Sequence, residues 1–427
     1  MVLVRGCVFR KFKKVNKETF SSFGVRNYRL FFAGQGTSMV GTWMQSIAQT
    51  WLIWELTHSG TVLGLLVGVQ FLPVLLLGPM GGVVADRFAK RRILYITQSS
   101  ALGLALILGI LVATHTVQVW MVFVLAALLG LVTVVDNPTR QTFIMEIVGR
   151  DRLPNAVTLN ATMVNLARVV GPTIAGALIA GAGLAWCFFI NAASYVAVLL
   201  CMYLMDGSKL APTKQTTRMR GQLTQGFSYI WGNPVLRNTL AMAAVIGMFT
   251  YEFPVVLPLY ASRTFGSGAG TYALFMAMMS IGAVVGGVMT AGSRRLTQPA
   301  VAIAAVIFGG SIALAAAAPS SVAAAALLIG VGAGSILFVA TANSILQLHA
   351  RPEMRGRVMA LWSVAFLGTT PIGGPLIGWI ADAGGPRLAL LVGAAAAIIA
   401  GAIGLAYLRT HKPTGANMTT TRDLGPF

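Results

Sequence analysis

Inside the apolar runs of this 427-residue chain, a handful of polar side chains have types and spacing that could do chemistry. Glu252 stands in Thr250-Tyr251-Glu252-Phe253-Pro254 with no base beside it in sequence. A carboxylate at such depth is costly as an anion, so it is expected to hold a proton part of the time. That makes it a proton carrier or a counter-ion for a cationic cargo; a paired or permanently protonated structural glutamate is the other reading. Asp136 and Arg140 are four apart, the spacing of a local ion pair on a helix, while Asp136 is alternatively a partner for Arg168. Arg168 shares a face loosely with Asn160 and Asn165, and a guanidinium there calls for a partner acid or an anionic group on a substrate. Gln35, Ser38, Thr42, Gln45, Ser46 and Gln49 fall on one helical face about 100° wide. Polar groups in lipid must face protein or water, so this stripe either lines a central cavity or bonds neighbouring helices together.

A second concentration of charge is Gly81-Gly82-Val83-Val84-Ala85-Asp86-Arg87-Phe88-Ala89-Lys90-Arg91-Arg92, lodged between two apolar runs. The bases orient a membrane protein whether or not they gate it. Asp86 contributes little to orientation, so it is expected to latch one conformation, with Arg140, Arg150 or Arg152 as partner.

These side chains need membrane helices to hold them. The chain is 56% hydrophobic and only 10% charged, where a soluble domain carries about a quarter charged residues. At roughly 20 residues per crossing the length accommodates about twelve spans. They are placed near 30–56, 61–84, 93–113, 119–138, 157–180, 184–205, 239–260, 272–291, 300–318, 322–346, 358–380 and 388–408, with Pro254 and Pro258 kinking the seventh. The polar stretch 206–237 between the sixth and seventh reads as a linker carrying a short amphipathic helix near 223–231. Lys and Arg crowd into alternate loops, the set that includes both termini and Asp86, which puts both ends in the cytoplasm. The same placement argues that the net charge of +20 sets topology and does not bind nucleic acid. Residues 1–29 read as a tail and not a cleaved signal. Cys7, Cys187 and Cys201 lack metal or disulfide spacing, the four histidines fall in loops or the tail, and no phosphate-binding glycine loop occurs. No metal, cofactor or ATP is therefore expected, and no nucleophile–base set points to an enzyme.

The two halves of the chain repeat. Gly374-Pro375 follows Gly171-Pro172 by 203 positions, Arg355 follows Arg152 by the same offset, and Gly286-Gly287 matches Gly81-Gly82 closely. Parallel repeats of this kind hold a substrate site at their interface.

Gly82, Asp86-Arg87 and Lys90-Arg91 resemble the loop signature between the second and third helices of the major facilitator superfamily, with Ala89 where that family usually has glycine. Gly171-Pro172-Thr173-Ile174-Ala175-Gly176 resembles its fifth-helix antiporter motif, with Ala175 in place of one glycine. Arg29-Leu30-Phe31-Phe32-Ala33-Gly34-Gln35, Asn137-Pro138-Thr139-Arg140-Gln141 and Arg355-Gly356-Arg357-Val358-Met359 are similar to the bacterial exporter branch, which includes enterobactin-type siderophore exporters and macrolide-type efflux proteins. The resemblance implies an all-α fold of twelve helices in two six-helix bundles. The expected division is a tail to residue 29, bundles at 30–205 and 238–408, a linker at 206–237 and a tail from 409. It also implies a monomeric, multi-pass transporter in the bacterial inner membrane that exports a small organic molecule by alternating access. Glu252, with Asp136 and Arg168, would exchange protons for cargo, Gly82, Asp86, Arg87, Lys90 and Arg91 would gate, and Gly171, Pro172 and Gly176 would form the hinge. A facilitator or proton symporter of the same fold, or a non-transporting sensor, are the rival readings.

Overall fold

Long apolar runs close their backbone hydrogen bonds within themselves, since lipid supplies no partners, and this dictates helices throughout. The computed structural model describes residues 21–211, 222–291 and 298–410. The basic tail before residue 21, Arg294-Arg295, the centre of the linker and the tail after residue 410 lie outside the described residues. The first half comprises α1 (Arg26–Thr57), α2 (Gly60–Arg87), α3 (Lys90–Ala113), α4 (Val119–Val148), α5 (Leu153–Gly181) and α6 (Leu184–Tyr203). A short helix, α7 (Gln222–Trp231), follows in the linker, with Phe227 and Trp231 stacked and exposed on it. The second half comprises α8 (Pro234–Phe249), α9 (Phe253–Leu259), α10 (Ala269–Ala291), α11 (Gln298–Ala316), α12 (Ser321–His349), α13 (Arg355–Phe366), α14 (Thr370–Gly384) and α15 (Pro386–Thr410).

Among the described residues, eleven helical segments are long and apolar enough to cross a membrane, counting α8 with α9 and α13 with α14 as single crossings. α1 is not one of the eleven although it has 32 residues. Its stripe of glutamine, serine and threonine dilutes the apolar content that a crossing normally shows. Large apolar residues such as Leu76, Ile96, Leu166, Leu314 and Ile403 remain exposed, the surface expected of helices bathed in lipid.

Two helices are interrupted in the second half. The seventh expected span breaks at Thr250–Glu252, and Pro254 opens the new helix α9 instead of bending an old one. Tyr260–Thr264 then closes that crossing as a π-helical turn. The eleventh expected span breaks between Phe366 and Thr370. The two breaks abut: Gly247 is pressed against the Phe366 carbonyl and Gly373 against that of Met248. Pro138, Pro172 and Pro375 stay inside continuous helices.

The halves meet along two helix pairs, α2 with α14 and α5 with α10. Gly60, Gly64 and Gly68 lie against Gly378, Gly374 and Pro371, so closely that a Cβ on Gly64 would overlap the Gly374 carbonyl. On the other pair, Gly176 lies against Ala273. Within each half the repeat holds as well, since Gly81 abuts the Val134 carbonyl as Gly286 abuts that of Ala333. Small residues allow this approach where no hydrophobic gradient drives helices together.

Candidate functional site: a polar passage between two latched ends

The polar face of α1 is divided in the structure. Thr42, Gln45, Ser46 and Gln49 line a cavity together with Trp43, Gln70, Leu129, Asn191 and Tyr195, whereas Gln35 and Ser38 do not reach it. Gln45 meanwhile accepts a hydrogen bond from Asn191 Nδ2 at 2.6 Å, and Thr42 Oγ1 lies 3.4 Å from the Tyr195 hydroxyl. Thr42 and Ser46 are exposed, whereas Gln35, Ser38 and Gln49 are buried. Gln35 Oε1 accepts from Arg140 Nη1 at 3.3 Å, but its Nε2 is buried without a partner.

The intramembrane charges separate into three environments. Asp136 Oδ1 accepts from Thr97 at 2.7 Å and Gln98 at 2.8 Å, and its Oδ2 faces Arg140 Nε at 3.9 Å, so the local pair forms. Arg168 is not brought to Asp136. Its guanidinium lies 5.1 Å from the centroid of Trp43 on α1, and its Nε is buried with no hydrogen bond. Glu252 sits at the break between α8 and α9, 2% exposed. It lines a small cavity within the second half bounded by Phe253, Ile312, Ile377 and Leu390. One oxygen is within reach of the Thr370 hydroxyl and the other has no partner. Gly374, where the halves cross, is immediately beside it. The break therefore leaves Tyr251 among Phe253, Phe308 and Phe366 and Glu252 in the small cavity beside them, both within the second half.

At the end of the molecule that carries Asp86, the ion pair is not the one expected. Lys90 Nζ meets Glu146 Oε1 at 2.7 Å, both largely buried, which ties the start of α3 to the end of α4. Arg91 donates to the Met202 and Met205 carbonyls at 2.7 and 3.3 Å, capping the end of α6. Among the described residues Asp86 makes no ion pair within 4.0 Å, and Arg87 is exposed. Gly82 is buried at the end of α2.

The opposite end carries a cluster that sequence reasoning missed. Asp382, near the end of α14, accepts from the Gly60 and Thr61 amides at 2.8 and 2.9 Å and from the Ser59 and Thr61 hydroxyls at 2.9 and 2.8 Å. A carboxylate from one half thus caps the first turn of a helix in the other, where unpaired N–H groups and the helix dipole favour negative charge. Arg263 pairs with Asp382 at 3.0 Å, donates to the His58 carbonyl at 2.6 Å and lies 5.0 Å from the Trp54 ring centroid. His58 ends α1 with a left-handed backbone, φ 48°, which turns its carbonyl towards Arg263. The signal was an acid two positions past the expected end of a span, facing one of the few bases in the sparsely charged loops.

Of the expected hinge residues, Gly171 gives room to Trp43 and Val40 of α1 within the first half, while Gly176 faces the other half. Pro172 is buried in an unbroken helix.

Residues 17–423 match a family described as a transmembrane secretion effector. The staphyloferrin A transporter of Staphylococcus aureus is 25% identical over 60% of this chain and 65% of its own length, so the alignment spans under two thirds of that relative. The multidrug efflux pump Tap of Mycolicibacterium fortuitum is 27% identical over 82% of this chain and 88% of its own. The enterobactin exporter EntS of Shigella flexneri is 25% identical over 82% and 84%. Among solved structures, an inward-facing, unoccupied bacterial homologue of the human lysosomal transporter Spinster superposes with a TM-score of 0.74, at 14% identity over 90% of this chain and 96% of that one.

Proposed function

This chain belongs to the transmembrane secretion effector family of major facilitator transporters, and on that footing we propose that it is a proton-coupled exporter of a small organic molecule such as a siderophore or a drug. It is a multi-pass bacterial inner-membrane protein and not an enzyme. α1 is the twelfth crossing, both termini lie in the cytoplasm, the bundles comprise residues 30–205 and 238–408, and the monomer is the working unit. The observation that carries this reading is the cross-half seal at Asp382 above a polar passage: helices that can part at the glycine crossings and close again give alternating access. Export by the efflux and siderophore relatives supports the outward direction.

Glu252 fits the coupling role because its protonation alters the packing beside the crossing of α14 and α2. As the anion it is poorly solvated there, and as the acid it can donate to Thr370. The break in the helix lets that local event re-aim α9 without straining a continuous hydrogen-bond ladder. Asp136 and Arg140 form a fixed polar anchor inside the first half, and Arg168 lies on Trp43 at the edge of the passage.

Reconstitution into liposomes with an imposed proton gradient tests the proposal. Substrate should accumulate on the side corresponding to the cell exterior, and collapse of the gradient should stop it. Downhill flux insensitive to the gradient would instead establish a facilitator, and flux in the same direction as protons a symporter.

A further inference from the structure

The charge balance of the passage points to the kind of cargo. Asp136 has Arg140, and Asp382 has Arg263. Among the described residues Arg168 has no acid within 4.0 Å, and its Nε is buried without a hydrogen bond. It stands about midway along α5 and is half-buried. A guanidinium so placed within an apolar helix lacks the counter-charge that an intramembrane cation ordinarily requires.

Its surroundings are flat and aromatic. Trp43 lies beneath the guanidinium and opens onto the cavity shared with Thr42, Ser46 and Gln49. Glu252, the acid that would favour a cation, lies across the helix break in its own cavity. We propose that the cargo is a small amphipathic organic anion, whose acidic group pairs with Arg168 while its planar apolar part lies against Trp43. A planar, forked donor recognises a carboxylate or phenolate through two parallel hydrogen bonds. The same site repels a cation and gives a neutral amide no compensation for desolvating the arginine.

This proposal rests on the transporter reading above, but its test needs neither a gradient nor a direction. The purified full chain in lipid nanodiscs would be titrated with a panel of aromatic carboxylates, catecholates and hydroxy-carboxylates, each beside its neutral amide or ester and its amine counterpart. At least one anion should bind, at least about tenfold tighter than its neutral counterpart, and Arg168→Gln should erase that difference. Arg168→Lys, which keeps the charge but not the fork, should retain part of it. Trp43→Ala should weaken the planar anions more than the aliphatic ones. Binding of cationic or neutral members in preference to anions overturns the proposal. So does the absence of binding by every anion tested, or an anion preference that survives Arg168→Gln. Should Arg168→Gln fail to fold, the wild-type panel and Arg168→Lys decide the matter. Gradient-driven export confined to cations would reject the anion assignment while sparing the exporter reading; anion binding without export would do the reverse.

Discussion

The carboxylate of Asp382, near the end of α14, accepts the backbone N–H of Gly60, at the start of α2, at 2.8 Å across the two halves of the molecule. With the Thr61 amide and the Arg263 ion pair it forms the lock of this end. Asp382→Asn removes the charge but keeps the shape. Hydrogen bonds to a charged acceptor contribute about 1.5–3 kcal/mol each, and the side chain is partly exposed, so the loss should favour the open form by roughly tenfold. A cysteine placed at Ser59 should label faster with a membrane-impermeant maleimide in that background. An unchanged labelling rate would remove Asp382 from the gate.

Glu252→Gln should abolish gradient-driven export and spare exchange of labelled for unlabelled substrate. The amide keeps the shape of the side chain and the packing beside Gly374 but cannot carry a proton between the two sides. Counterflow and gradient-driven uptake into everted vesicles, measured side by side, check this. Retained gradient dependence would move the coupling role to another group.

Gly64→Leu should lower transport to about a tenth or less while the protein still inserts, because overpacking a close crossing is unfavourable by about 1–3 kcal/mol. Even alanine meets the Gly374 carbonyl. Gly103→Leu, at an open position of α3, serves as the control and should be silent in a flux assay at matched expression.

The Asp86 end predicts a contrast between two substitutions. Lys90→Met removes the Lys90 ammonium from the largely buried Glu146 carboxylate, and breaking a buried pair by removing one partner is destabilising by up to about 3–5 kcal/mol. Its melting temperature should fall, and exchanging the two charges in Lys90→Glu with Glu146→Lys should restore part of the loss. Asp86→Asn should leave the melting temperature unchanged and slow turnover. Thermal unfolding in detergent and initial transport rates separate the two effects, and normal turnover in Asp86→Asn would leave that loop an orienting signal alone.

Much of this architecture was legible in the residues. Apolar run lengths located the eleven crossings found among the described residues, and the three-and-four spacing marked the stretch Thr42 to Gln49 of α1 that lines the cavity. The offset between Gly171 and Gly374 marked the internal repeat, although Gly171 meets α1 within its own half and Gly374 meets Gly64 across the halves. Other features were hidden for identifiable reasons. Pro254 is as compatible with starting a helix as with bending one, so the gap at Thr250–Glu252 depended on Gly247 and Gly373 meeting backbone carbonyls from distant segments. Asp382 lay just past its span in a sparsely charged loop, and nothing local shows that the amides of Gly60 and Thr61 await it from 321 to 322 positions away. Lys90 found Glu146 in preference to any group beside Asp86 because α3 and α4 converge there, a fact of packing and not of spacing.

The near-matching pair of crossings, Gly64 with Gly374 and Gly176 with Ala273, has a mechanical consequence. Gly64 and Gly374 meet backbone to backbone, whereas Gly176 meets the Ala273 methyl, so the first crossing is the stiffer bearing and the second the softer one. Tilting one half about the stiff crossing changes little there, whereas sliding it along the helix drives the Gly374 carbonyl into the Gly64 alpha carbon.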